Sequence, residues 1–308
     1  MKRIVISEFM DQTAVAALAA RFDVDYRPKL VDDAAALGAA VSSADGWIVR
    51  NRTPVRGALL EAARVVRVIG RLGVGLDNID VDACAARGIE VIPATGANAE
   101  SVAEYVVTAA LVLLRGAWLA TAEVAAGRWP RSALSQGHEA RGKVLGVVGF
   151  GSIGRVTARK AAALGMRVVG HDPQVPDGDP AWALAQAQPR ALDALLAESD
   201  VVSLHLPLVA ATRGLLGRER LARMKPGAIL VNTARGGIVD EAALADLLRA
   251  DRLGGAALDV FGAEPLAAGS PLAGVPRLIL TPHVAGVTVE SNERVSALIA
   301  ERVATALA

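Results

Sequence analysis

The sequence predicts an α/β protein of two domains built on parallel sheets. Three observations carry that prediction. Short apolar runs alternate with longer helical patterns along most of the chain. The runs are continuous in polarity and bounded by Gly and Pro, the pattern of strands buried on both faces. The chain has 308 residues, enough for two domains of ordinary size.

The first series begins with the strand pattern "RIVIS" and the helical pattern "DQTAVAALAARF". "GWIVR" reads as a strand, "VVRVIGRLGVG" as a strand entering a Gly-rich turn, and "IEVIPA" as another strand. In all, about five strand candidates precede Pro93. A helix is expected from Ser101 to Arg115, opened by a capping box between Ser101 and Glu104. Its faces are almost wholly Ala, Val and Leu, which predicts burial, including against a second subunit. Gly127 to Gly142 reads as a connector. A new α/β series runs from Lys143 through His283, and Val289 to Ala308 reads as one amphipathic helix.

Composition narrows the functional classes. Hydrophobic residues make up 53% of the chain, which supports a large core and argues against disorder. The 33 basic and 32 acidic residues leave a net charge of +1, so neither nucleic acid nor an anionic membrane is an expected partner. The one cysteine, Cys84, permits no intrachain disulfide. The N-terminus lacks the apolar core of a signal peptide. Val102 to Leu114 is short for a membrane span and is interrupted by Glu104. A soluble, cytoplasmic protein is expected.

"KVLGVVGFGSIGRVTARKAAALGMRVVGHDP" reads as a complete strand–helix–strand unit. A strand from Val144 to Val148 enters Gly149-Phe150-Gly151-Ser152-Ile153-Gly154, a helix runs to Leu164, and a second strand spans Arg167 to Gly170. Gly149 suits the tight turn, Gly151 lets the backbone approach a pyrophosphate, and Gly154 lets helix and strand pack closely. The helix N-terminus supplies amide donors for the anion. Asp172 follows Gly154 by 18 residues, where a ribose diol would be bound. No metal-binding cluster is expected.

Three charged residues each follow an apolar run in the last third: Arg235 in "AILVNTARGG", Glu264 in "GGAALDVFGAEP" and His283 in "RLILTPHVAG". In an open α/β sheet the carboxyl ends of the strands form the ligand crevice. Histidine suits proton transfer in either direction, because its ordinary pKa lies near neutrality. A carboxylate on its other ring nitrogen fixes the tautomer, and an arginine can bind a carboxylate and polarise an adjacent oxygen. Taken alone, Glu264 is equally a loop carboxylate before Pro265. Of the other histidines, His138 lies in the connector, His171 precedes Asp172, and His205 closes a strand before Pro207.

These residues resemble those of the NAD-dependent D-isomer-specific 2-hydroxyacid dehydrogenases, including the phosphoglycerate dehydrogenase branch. The resemblance runs nearly end to end, through "GVGLDNIDV", "NAESVAEYVV", "GKVLGVVGFGSIG", "HLPL", "MKPGAILVNTARGGIVDE", "LDVFGAEP" and "TPHVAG". It implies two Rossmann- or flavodoxin-like domains with a cleft between them. The substrate domain would be discontinuous, residues 1–98 plus 286–308, around an NAD-binding domain of residues 99–285. It implies a homodimer joined through the NAD-binding domain. Arg235, Glu264 and His283 take the catalytic roles. The cofactor set, beyond the glycine loop and Asp172, becomes His205, Pro207, Thr212, Thr233, Ala234, Asp259 and Gly286, with Asp259 at the nicotinamide amide. Val74 and Gly75 would hold the substrate carboxylate through their amides, and Asn98 and Ser101 either reach substrate or cap the long helix.

Arg50 and Arg52 in "GWIVRNRTPV" are two residues apart, so an extended backbone puts both on one side. They either clamp a second anionic group on the substrate or form a solvated pair. A clamp points to 3-phosphoglycerate-like or 3-sulfolactate-like acids. A solvated pair points to lactate, glyoxylate or hydroxypyruvate. Formate dehydrogenases carry Gln in place of the catalytic Glu, so Glu264 argues against that activity. A different class, an NAD-sensing corepressor or scaffold, would be separated from an enzyme by turnover of any 2-hydroxy acid.

Asp172 also predicts the cofactor. A carboxylate there repels a 2′-phosphate, and Pro173 to Pro180 holds no Arg or Lys to receive one. Steady-state kinetics with the two cofactors should show clear preference for NAD; equal catalytic efficiency with NADP would overturn the assignment.

Overall fold

Two all-parallel sheets carry the fold in the computed structural model, which describes residues 1–308. The chain divides into two compact units, Met1–Asn98 with Val287–Ala308, and Ala99–Gly286. The strands of the first unit are β1 (Arg3–Ile6), β2 (Asp23–Tyr26), β3 (Gly46–Val49), β4 (Val68–Arg71) and β5 (Glu90–Pro93), in the order β2-β1-β3-β4-β5. The second unit holds β6 (Val144–Val148), β7 (Arg167–His171), β8 (Ala187–Pro189), β9 (Val201–Leu204), β10 (Ile229–Asn232), β11 (Gly255–Leu258) and β12 (Leu278–Leu280). Their order is β12-β11-β10-β9-β6-β7-β8, so strand order reverses where β6 meets β9, the place such sheets bind ligands.

Strand periodicity builds the first core. Ile4, Ile6, Ile48 and Val68 face one side, while Val5, Trp47, Val49 and Ile69 face the other. The C-terminal helix, Val289–Ala306, covers the first of these sides. It is started by a capping box between Thr288 and Ser291. Glycines admit it: a Cβ at Gly70 would lie 2.6 Å from Ile299 and 2.7 Å from Val303, and one at Gly46 would lie 2.9 Å from Leu307. Each of those aliphatic side chains is almost fully buried, a contribution on the order of 2 kcal/mol apiece. The last helix of the chain therefore belongs to the first sheet.

Some elements depart from the sequence reading. β2, sequence DVDY, is half-exposed and not apolar. It lies at the sheet edge, where a single buried face suffices. β12 is likewise an edge strand, half-buried and not enclosed on both faces. The long helix runs Ala99–Arg115, so it begins two residues before Ser101. Ser101 is a buried residue of its first turn, and the expected Ser101–Glu104 capping box is not at its N-cap. The connector contains a short helix, Arg131–Leu134, and another, Thr121–Ala125, precedes it. No single helix is long and apolar enough to cross a membrane.

At the reversal of strand order, β9 is followed directly by His205, whose N–H donates to Val148 O at 2.7 Å. Its Nε2 lies 2.9 Å from Ser203 Oγ. Burial pulls the imidazole from an ordinary value of 6.5 down to about 3, so it stays neutral in the fold over most of the acid range. The unfolded chain takes up that proton near 6.5, which withdraws stability as pH falls below this value. Thermal unfolding from about pH 7 to about pH 4.5 should therefore show a smaller acid-induced fall in Tm for His205→Asn than for wild type. Parallel falls would remove His205 from the acid response.

Candidate active site

The loop after β6 is shaped by close backbone approaches. Gly149 has φ 95°, and a Cβ there would sit 2.5 Å from the carbonyl oxygen of His205. A Cβ at Gly154 would lie 2.2 Å from the Gly149 carbonyl oxygen. Gly151 opens on space, with no heavy atom within 4 Å of an added Cβ. It is also the N-cap of the helix Ser152–Ala163 and brings no capping side chain, which leaves the amides of the first turn, Ser152 and Ile153 among them, uncapped by it. Asp172 accepts from Phe150 N at 2.7 Å through Oδ2 and from Gln174 N at 2.9 Å through Oδ1. Each oxygen keeps a lone pair for a ribose hydroxyl. Arg155, passed over in the sequence, donates from Nε to Phe150 O at 2.8 Å and braces the same loop.

Five of the remaining cofactor candidates, His205, Pro207, Thr212, Thr233 and Ala234, lie on the loops after β9 and β10. Thr212 Oγ1 donates to Pro207 O at 2.6 Å and accepts from Val209 N at 2.9 Å, closing the 207–212 turn. Thr233 Oγ1 is buried without a hydrogen-bond partner, an unmet polar atom at the end of β10. Such an atom, the open Gly151 cradle and the uncapped helix fit a dinucleotide. Asn232 turns the chain there: its Oδ1 accepts from Ala234 N at 3.0 Å and its Nδ2 donates to Arg235 O at 3.0 Å. Arg235 follows, half-buried, with Nη1 donating to Ala234 O at 2.6 Å.

Glu264 and His283 meet directly. Glu264 Oε2 lies 2.8 Å from His283 Nδ1, and Oε1 accepts from Phe261 N at 3.0 Å. With Nδ1 engaged, Nε2 is the ring atom left for a reacting group. The loop that carries Arg235 packs against the loop that carries Glu264: a Cβ at Gly236 would fall 1.7 Å from the Phe261 carbonyl oxygen. His283 is held at φ 56°, an unusual backbone conformation. The restraint is Asp259, only 1% exposed. Its backbone carbonyl accepts from His283 N at 2.8 Å. Its carboxylate accepts from Thr281 Oγ1 at 2.6 Å, Val284 N at 2.8 Å and Ala285 N at 2.8 Å. Asp259, expected at the nicotinamide amide, has its carboxylate engaged by the loop that carries His283, with Oδ2 accepting from Ala285 N alone among these donors. Tyr105 of the long helix extends this network, with its hydroxyl 2.6 Å from Thr281 Oγ1. Gly286, half-buried, closes the loop. His138 is exposed in the connector, and His171 Nδ1 lies 3.0 Å from Arg190 O.

In the first unit the structure separates the two arginines that the sequence paired. Arg52 is exposed and forms an ion pair with Asp32. Arg50 is half-buried, and both its side-chain partners are neutral: Nη2 donates to Asn292 Oδ1 at 2.8 Å, and the guanidinium lies 5.7 Å from the centre of the Phe9 ring. Burial pulls its pKa below the ordinary value, while the charge of Glu8 acts in the opposite direction. Glu8 itself went unremarked in the sequence. It is 4% exposed and accepts from Arg50 N, Arg52 N, Thr53 N and Thr53 Oγ1 at 2.7 to 3.1 Å. A lone acid closing an apolar strand pattern was the available signal. Val74 and Gly75 are half-buried in the turn after β4, where the Arg71 guanidinium packs against Gly73. Asn98 Oδ1, just before the long helix, is buried without a hydrogen-bond partner.

Comparison with known proteins agrees with these features. The family profile described as "D-isomer specific 2-hydroxyacid dehydrogenase, NAD binding domain" matches residues 107–285. An (S)-sulfolactate dehydrogenase of Chromohalobacter salexigens is 55% identical over 307 residues, covering 100% of this chain and 99% of that protein. A D-3-phosphoglycerate dehydrogenase of Mycobacterium tuberculosis is 42% identical over 99% of this chain, which spans 57% of that protein's length. Among solved structures, the TT0316 protein of Thermus thermophilus has a TM-score of 0.87 at 35% identity, covering 99% of this chain and 96% of that one. An NAD-dependent formate dehydrogenase of Staphylococcus aureus in complex with NAD has a TM-score of 0.78 at 27% identity, covering 98% and 94%. The chain belongs to the D-isomer specific 2-hydroxyacid dehydrogenase family, and it is an NAD-dependent oxidoreductase acting on CH–OH donors.

Proposed function

We propose that the chain oxidises a three-carbon 2-hydroxy acid bearing an anionic group at C3, with 3-sulfolactate as the preferred example, and runs the reverse reduction. The observation that carries the chemistry is the 2.8 Å contact between His283 Nδ1 and Glu264 Oε2. It orients Nε2 toward the substrate hydroxyl, so that His283 takes the hydroxyl proton in oxidation and returns it in reduction. Glu264 fixes the tautomer and stabilises the imidazolium that forms. Arg235 binds the substrate carboxylate and polarises the C2 oxygen. NAD, when bound, accepts the hydride leaving C2. The glycine loop, Asp172 and Thr233 hold it.

Arg50 supports the C3 assignment, because a half-buried cation with neutral partners favours an anionic ligand. The 55% identity to an (S)-sulfolactate dehydrogenase supports the same reading. We further infer a homodimer formed through the second unit. Trp118 and Trp129 are 66% and 76% exposed on the segment after the long helix, accompanied by exposed Leu119 and Val124. We propose a cytoplasmic location, in keeping with the buried free thiol of Cys84.

His283→Ala should lower turnover by about a hundredfold to ten-thousandfold while NADH affinity, read by fluorescence titration, stays close to wild type. Near-normal turnover would remove His283 from the mechanism. Arg50→Ala should raise KM by about tenfold or more for acids with an anionic C3 group, with a smaller change for lactate. Arg52→Ala, whose charge is already paired with Asp32, should have the lesser effect. An equal loss on lactate, or a larger loss for Arg52→Ala, would contradict the assignment.

A further inference from the structure

Arg50 differs from its neighbour Arg52, and from Arg3 and Arg27, in how its charge is met. Arg3 and Arg27 both pair with Asp25, and Arg52 pairs with Asp32. Arg50 instead meets an amide oxygen, that of Asn292 in the first turn of the C-terminal helix, and the face of Phe9. The one carboxylate nearby, Glu8, is enclosed by the backbone donors of Arg50, Arg52 and Thr53 and by the Thr53 hydroxyl. Asn292 therefore anchors the guanidinium without neutralising it. The amide takes one N–H of the five on the guanidinium, so the rest remain available to an oxyanion.

We propose that Asn292 is a specificity-determining residue, which presents Arg50 as a single guanidinium without an ion-pair partner to a singly charged C3 substituent, a sulfonate. The proposal rests on the reading of Arg50 given above and extends it to the kind of anion selected. A sulfonate carries one negative charge at neutral pH, whereas a phosphate monoester carries about −1.5 to −2. With Arg52 held by Asp32, the 50–53 loop offers one guanidinium that is not ion-paired and not two. An aspartate at position 292 would pair with Arg50 and cancel that charge, while a leucine would remove the hydrogen bond and leave the charge intact.

The test is steady-state kinetics of wild type, Asn292→Asp and Asn292→Leu on 3-sulfolactate, 3-phosphoglycerate and lactate. NADH affinity and Tm report whether each variant is folded. Wild type should show its highest kcat/KM on 3-sulfolactate. Asn292→Asp should lower the ratio of kcat/KM for 3-sulfolactate over lactate by about tenfold or more, mainly through KM. Asn292→Leu should keep that ratio within about threefold of wild type. If Asn292→Asp leaves the ratio unchanged, or Asn292→Leu loses as much as Asn292→Asp, the neutral-anchor role is wrong while the anionic-substrate reading stands. If wild type prefers 3-phosphoglycerate, the selection of a singly charged group is overturned. Absence of wild-type preference for either C3 anion over lactate would overturn the underlying reading and the proposal together.

Discussion

The chemistry of the second unit depends on one buried carboxylate. Asp259 closes β11, where solvent is excluded, and a carboxylate so placed must be met by donors. The donors it finds are the amides of Val284 and Ala285 and the hydroxyl of Thr281. Satisfying Asp259 therefore folds the 281–285 loop around it, and the loop in turn holds His283 in a left-handed backbone conformation. A conformation of this kind costs on the order of 1–3 kcal/mol and persists where its surroundings impose it. Three bonds to a charged acceptor, each worth about 1.5–3 kcal/mol net, are sufficient to impose it.

The first unit uses the same device. Glu8 closes β1 and is enclosed by donors from residues 50, 52 and 53. A buried acid with its lone pairs engaged by the backbone organises a loop and leaves the adjacent side chains to other partners. Arg50 and Arg52 then diverge, one toward Asn292 and Phe9, the other toward Asp32. Both units place chemistry-bearing residues just past the carboxyl ends of parallel strands, where backbone groups are no longer used by the sheet.

The glycine loop was legible in the sequence because its requirements are local. Turn, cradle and helix start lie within the six residues from Gly149 to Gly154, and the approach of Gly154 to the Gly149 carbonyl is one the spacing implies, whereas the His205 carbonyl that presses on Gly149 comes from the next strand of the sheet. The edge strands were less legible. β2 has the composition of a loop, and only its pairing with β1 makes it a strand. The start of the long helix was misjudged because Ser-x-x-Glu is a local capping signal, overridden here by a helix that begins earlier and buries Ser101.

By itself the sequence determined the class of fold, the order of its elements, the phosphate loop and the set of charged residues around which the site is assembled. Those properties follow from periodicity and backbone preference, which act over a few residues. Only the tertiary structure decided which partners those charges take. Arg50 and Asn292 are 242 positions apart, Glu264 and His283 are 19 apart, and Glu8 meets its donors more than 40 residues downstream. A buried charge is met by whatever donors or acceptors the packed chain brings to it, and that choice is made when the sheets form.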